Sequence, residues 1–187
     1  MPRRTLYYKW MVNGKPIHTY GTYVLNGNWQ PKICGRLKAC CVGYHICDAD
    51  QVSEWCGTEL WQVEPETKGM HILRNKTVCR TWRAVRRLRW SRHDMCAYVQ
   101  WCVERATASA EKSRHYLART HSNWAASDAR RCFQAFTATP LDMTAIHYAM
   151  IAMRYATEAV VLSHKGAYRA ERLAQRRWIE QRIGERL

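Results

Sequence analysis

The chain has 187 residues, with 30 Lys plus Arg set against 15 Asp plus Glu, a formal charge of +15. That length suits one domain, or one domain with a helical appendage, and is enough to bury a core without cross-links. No run of 18 apolar residues exists and MPRRTLYYKW lacks the apolar stretch of a signal peptide, so no membrane-spanning helix is expected and a reducing, cytoplasmic compartment is.

Residues 1–90 read as a β-rich module. TLYYKWMV (5–12) predicts a strand, NGK (13–15) a hairpin turn and HTYGTYVL (18–25) its returning strand. NGN (26–28) predicts a second turn, and GYHIC (43–47) a short strand with Tyr44 and Ile46 on one face and His45 and Cys47 on the other. DADQVSEWCG predicts one short helix over 48–56, capped by Asp48 or Asp50 and ended by Gly57. ELWQVEPE and the segment from Gly69 to Leu88 return to β-branched and aromatic strand character.

From Ser91 the periodicity becomes helical. Met95, Tyr98, Val99 and Cys102 fall on one face, and Ser91 with Asp94 forms a capping box. Residues 122–136 predict a second helix, and 139–164 a third with Thr139 as N-cap and Pro140 at its first position. The apolar stripe of that third helix is Ile146, Met150, Met153, Thr157 and Val160, with Gly166 as its break. Residues 167–187 predict a basic amphipathic helix that buries Leu173, Trp178 and Ile179. The expected fold is α+β: a β-rich module at 1–90 followed by a bundle of three to four helices at 91–187.

Charge is segregated along the chain. Six acids and no Lys or Arg lie between Asp48 and Glu66; nine bases and no acid lie between Thr67 and His93. Arg80, Arg83, Arg86, Arg87, Arg89 and Arg92 are interleaved with Trp82 and Trp90, the mixture that contacts phosphates and stacks on bases. With Arg74 and Lys76 before the run and Arg172, Arg176 and Arg177 in the last helix, these residues form the expected nucleic-acid-binding surface. The competing reading is ion pairing across neighbouring strands, with Glu64 and Glu66 opposite the arginines.

Nine cysteines, an odd number, in a reducing compartment imply free thiols or a metal site. Cys34, Cys40, Cys41, His45, Cys47 and Cys56 cluster within 23 residues, but their spacing, C-x5-C-C-x3-H-x-C-x8-C, matches no zinc knuckle. Neither a metal nor a cofactor is therefore expected. A catalytic alternative places His18, Tyr44, His45 and Glu64, with Glu66, on neighbouring strands as an acid/base set. Phosphate-binding loops, nucleophile elbows and HExxH motifs are absent, so binding is expected ahead of catalysis.

From Gly35 to Glu64 the chain resembles a family of uncharacterised phage and bacterial proteins with a G-x-L-x-x-C-x-x-G-[YF]-H-x-C signature. Gly35, Leu37, Cys40, Gly43, Tyr44, His45 and Cys47 match it, as do Trp55, Gly57, Trp61, Val63 and Glu64 downstream. His18 matches the family's entry motif, while Tyr20 stands where a Gly is usual. The resemblance implies a phage setting, where small basic proteins act on nucleic acid, on nucleoprotein complexes or on host defence systems. A second likeness, at fold level, is to ADP-ribosyltransferase-type β-rich domains acting on NAD or a nucleotide, with His18 and Glu64 or Glu66 in the catalytic roles. A third reading is a helical assembly protein that forms homo-oligomers through Met143, Ile146, Met150 and Met153.

Overall fold

The computed structural model describes residues 5–17, 22–39, 41–113, 116–140, 143–163 and 167–187. Six strands come first: β1 (Tyr7–Met11), β2 (Tyr44–Asp48), β3 (Glu59–Pro65), β4 (His71–Ile72), β5 (Thr77–Cys79) and β6 (Trp82–Arg87). Four helices follow: α1 (Arg92–Lys112), α2 (Tyr116–Ala138), α3 (Met143–Ser163) and α4 (Ala167–Ile183). The architecture is α+β, an antiparallel sheet in the order β4-β5-β2-β1-β3-β6 followed by four helices.

Strand alternation divides the sheet into two apolar faces. Tyr8, Trp10 and Leu60 point toward the helices and join one core with Met95, Tyr98, Val99, Ile146 and Ile179. Tyr7, Met11, Ile46, Val63 and Trp82 form a second core on the opposite face, against Tyr23 and Leu25 of the β1–β2 connection. The larger core draws on residues before and after position 90, so burial of the sheet face depends on the helices.

The Asn13-Gly14 turn forms with both residues at positive φ, 52° and 70°, and Val12 and Lys15 exchange two backbone hydrogen bonds across it. Of the expected return strand, residues 22–25 form no strand and residues 18–21 lie outside the described ones. Residues 22–39 and 41–43 instead belong to the connection that packs over the sheet. Gln30 pins it, its side-chain amide making hydrogen bonds of 3.1 and 2.6 Å with the backbone of Val24. The Gln30 backbone is held from β6 by the Trp82 carbonyl and from the β5–β6 turn by the Thr81 hydroxyl.

The expected helix at 48–56 is a single 3-10 turn, Val52–Glu54. Asp48 caps the approach, accepting from the backbone N–H groups of Asp50 and Gln51 at 2.9 Å. Gly57 is no helix terminator. A Cβ there would stand 2.6 Å from the Met11 carbonyl oxygen, so glycine permits β1 and the β2–β3 connection to touch.

The Ser91/Asp94 capping box is present at α1, and Met95, Tyr98, Val99 and Cys102 are all buried. Thr139 closes α2 instead of opening α3: its N–H and hydroxyl both donate to the Ala135 carbonyl. The α3 stripe holds, with Ile146, Met153, Thr157 and Val160 buried inside the bundle. Ile146 and Met153 therefore serve the intramolecular core and are not available as an oligomer surface. On α4, Ile179 is buried but Leu173 is exposed, and Glu171 and Gln175 take inward positions. Gln175 is satisfied by Thr157 and Glu171, while Arg105 neutralises Glu171 from α1. Gly166 lies outside the described residues.

Candidate ligand cleft between β1 and β2

β1 and β2 pair through only two positions, Tyr7 with Asp48 and Tyr8 with Cys47. Beyond them β1 continues on β3, and Tyr44–Ile46 of β2 continue on β5. The sheet is thus divided along its middle, and a cavity of about 480 Å³ occupies the division. That volume falls within the ordinary range of small-molecule sites.

Both edges of the division line the cavity: Tyr8, Lys9 and Trp10 from β1, and Tyr44, His45, Ile46 and Cys47 from β2. The connection roofs it with Ile17, Tyr23 and Ile33, and Trp55 with Lys76 closes another side. Tyr44 donates to the Pro31 carbonyl at 2.9 Å, tying the roof to β2. Gly43 is needed at the rim: its φ is 128°, and a Cβ would fall 2.3 Å from Val78. Trp55 is oriented by its indole N–H on the Asn75 carbonyl, 2.6 Å away, and Lys76 stands over its ring at 5.4 Å.

Lys9 is the chemically distinctive residue of the cleft. Only 7% of it is exposed, and its ammonium donates across the division to the His45 carbonyl. The Tyr23 ring lies 5.1 Å from Nζ. Burial lowers the Lys9 pKa to about 8. The same burial pushes the neighbouring Cys47 and Cys79 thiols up to about 12, against the opposing pull of Lys9, and raises the Tyr23 and Tyr44 phenols. Among the described residues that line the cavity, two are lysines, one is histidine and none is a carboxylate.

The arginine/tryptophan run has a different environment from the one its composition suggests. Trp82 is fully buried and Trp90 is 3% exposed, so neither presents a ring for base stacking. Trp90 instead packs in an aromatic cluster with Trp10, Tyr98 and Trp178. Arg83 forms a two-point pair with Glu64 at 2.9 and 2.7 Å and covers the Trp29 ring. Arg86 pairs with Glu185, Arg87 with Glu59, Arg172 with Glu54, and Arg176 with Asp50 and Glu180. Arg80 donates to the Ile33 and Gly35 carbonyls and Arg74 lies over Tyr168. Lys76 belongs to the cleft. Arg89, Arg92 and Arg177 remain exposed without an ion pair among the described residues. Of the six acids between Asp48 and Glu66, all but Asp48 are engaged by a Lys or Arg. Two of these five pairs, Glu59–Arg87 and Glu64–Arg83, join the acidic and basic stretches across β3 and β6; the other three go to Lys32 and to Arg172 and Arg176 of α4.

The catalytic set is not brought together. Tyr44 and His45 line the cleft, whereas Glu64 is bound to Arg83 on the far side of β1. Tyr8 pairs with both Cys47 and Gln62, and β2 and β3 both run antiparallel to β1. His45 and Glu64 are therefore two strand spacings apart and offset in opposite directions, a separation of roughly 15 Å. Glu66 is bound to Lys32, and His18 lies outside the described residues. No group of three His, Cys, Asp or Glu side chains that could hold a metal occurs among the described residues; Cys34 and Cys41 are exposed while Cys47 and Cys56 are buried.

Sequence reasoning missed Lys9, Tyr23 and Gln30 as cleft residues. The available signal was a lysine inside the apolar strand YYKWM, facing the same way as Tyr7 and Met11. No helix among the described residues is long and apolar enough to cross a membrane. No protein-family model, curated protein or solved structure matches the chain.

Proposed function

We propose that the protein binds a small anionic ligand with a flat ring, a nucleotide in chemical class, in the cleft where β1 and β2 part. The carrying observation is the buried Lys9 on a cavity wall that contains lysine, histidine and aromatic side chains and no carboxylate among its described residues. A buried ammonium is costly unless compensated, and a ligand phosphate supplies the compensation. Tyr23, Tyr44 and Trp55, all only partly buried, offer ring faces and edges to a base. The segment Cys41–Cys47, on which the family resemblance centres, forms one wall, in keeping with a ligand role for that signature. Calorimetric titration with nucleoside mono- and diphosphates tests the reading. Saturable binding weakened about tenfold or more in Lys9→Met is the expected result; failure of every nucleotide to bind removes it.

A second reading, nucleic-acid or nucleoprotein contact in a phage setting, is supported by the net charge of +15 and by three exposed cations. Arg89 and Arg92 flank Trp90, whose ring meets that of Trp178, the residue after Arg177. Replacing all three arginines by Glu should abolish salt-dependent binding to DNA or RNA, with a slope near −0.9 per phosphate contact for duplex DNA. Salt-independent or unchanged binding refutes it.

A further inference from the structure

We propose that Lys9 condenses with an aldehyde or ketone carried by an anionic ligand of the cleft and holds it as an imine. The inference rests on the anion-binding reading of the cleft and adds a covalent step to it.

Three features of the site point the same way. First, Lys9 lines a cavity large enough for a ligand, from the central strand β1, and its Nζ donates to the His45 carbonyl. A single acceptor leaves the amine free to turn its lone pair toward a carbonyl carbon once a proton has left. Second, no carboxylate among the described residues forms an ion pair with Lys9, so nothing of that kind holds it in the charged form. Burial drives its pKa to about 8, which leaves roughly a tenth of the amine neutral near pH 7. Third, a second cation, Lys76, lines the same cavity and provides an anchor for a phosphate or carboxylate on the carbonyl compound. Among the described lysines only Lys9 and Lys76 are buried.

The step balances without an oxidant or reductant. The Lys9 nitrogen lone pair attacks the carbonyl carbon and the carbonyl π electrons move to oxygen, giving a carbinolamine after proton transfer from nitrogen to oxygen. The nitrogen lone pair then forms the C=N bond as the hydroxyl leaves with one proton as water. One water is released for each imine formed, and hydrolysis returns the amine and the carbonyl compound.

The titratable groups around Lys9 and its cavity are Tyr8 of β1, Tyr23 and Cys41 of the connection, Tyr44, His45 and Cys47 of β2, Cys79 of β5, and Lys76. The Cys47 and Cys79 thiols and the Tyr8, Tyr23 and Tyr44 phenols are displaced upward, so they stay protonated where Lys9 titrates. Condensation should therefore accelerate as pH rises through about 8.

Pyridoxal 5′-phosphate, an aromatic aldehyde with a phosphate, is a suitable probe. The full chain is incubated with it, reduced with borohydride, digested and mapped by mass spectrometry. The reduced adduct is expected on Lys9, forming at least about tenfold faster than on exposed lysines such as Lys68. Lys9→Arg should abolish it, Lys68→Arg should leave it unchanged, and an excess of a nucleotide that binds should slow it. Adducts spread over surface lysines, or confined to Lys76, overturn the proposal, as does an unaltered Lys9→Arg pattern. Should Lys9→Arg not fold, the wild-type rate decides: a rise through about pH 8 supports the imine, and a flat profile removes it. Nucleotide titration of the same sample separates the two readings. Binding without an adduct sinks the imine alone; absence of both sinks the cleft as an anion site.

Discussion

Lys9 and the arginines of β6 carry the same charge and meet opposite fates. Arg83, Arg86 and Arg87 sit on an edge strand beside a strand and a C-terminus that supply Glu64, Glu185 and Glu59. Lys9 sits on a central strand where the sheet divides, and the cavity beside it contains no described carboxylate. The lesson is that a conspicuous charge run can be internally compensated while one inconspicuous lysine is not. Pairs at the surface gain little from each other because water screens them, whereas a buried cation keeps its full desolvation cost.

The contrast can be broken at four levels. The largest effect is expected at a pair between the two extremes. Arg172 and Glu54 are both mostly buried and 2.6 Å apart, so Glu54→Ala strands a guanidinium and should cost about 3 kcal/mol, read from the urea midpoint. Alkali comes next. The Cys47, Cys56 and Cys79 thiols have folded pKa values raised to about 12 from 9, so their contribution is complete below pH 9 and is lost as pH rises toward 12. Lys9 has the opposite sign: its folded pKa is lowered, the unfolded chain holds the proton longer, and stability is regained between about pH 8 and 10.5. The thiols outnumber it, and urea unfolding under reducing conditions should show a net fall on the order of 2 kcal/mol over the unit above pH 9. Lys9→Met is third. It should raise stability at pH 7 by about 1–2 kcal/mol and steepen the alkaline fall while weakening nucleotide binding about tenfold or more; a destabilised protein would mean that the ammonium is a structural member of the fold. The smallest effect belongs to the surface: Arg83→Ala should change stability by less than about 1 kcal/mol, a difference that added salt diminishes.

Element types were legible from local pattern. β1, β3 and β6, the Asn13-Gly14 turn, the α1 capping box and the buried faces of α1 and α3 follow from periodicity and capping chemistry, which operate within a few residues. Residues 22–25 do not extend the hairpin expected from Asn13-Gly14, because a hairpin turn specifies a reversal and not the partner beyond it. Here β1 finds β2 and β3, and the connection becomes a roof held by Gln30. Leu173 was assigned inward from hydropathy, but Glu171 and Gln175 take that side because Arg105 and Thr157 await them. The candidate site was half legible. Tyr44 and His45 were singled out and do line the cleft, whereas the partners expected for them, Glu64 in particular, lie elsewhere.

The sequence by itself determined the α+β order, the positions of most strands and helices, and the segregation of acids before bases, because each is written in neighbouring residues. It also offered two competing readings of the arginine run and no means of choosing between them. Tertiary structure shows that part of the run is paired, by laying β3 against β6 and α4 against the 3-10 turn so that Arg83, Arg87 and Arg172 meet acids. Only the fold also revealed where a sheet divides, and hence that Lys9 faces a cavity instead of solvent. Strand separation is a long-range property of pairing, and no local pattern records it.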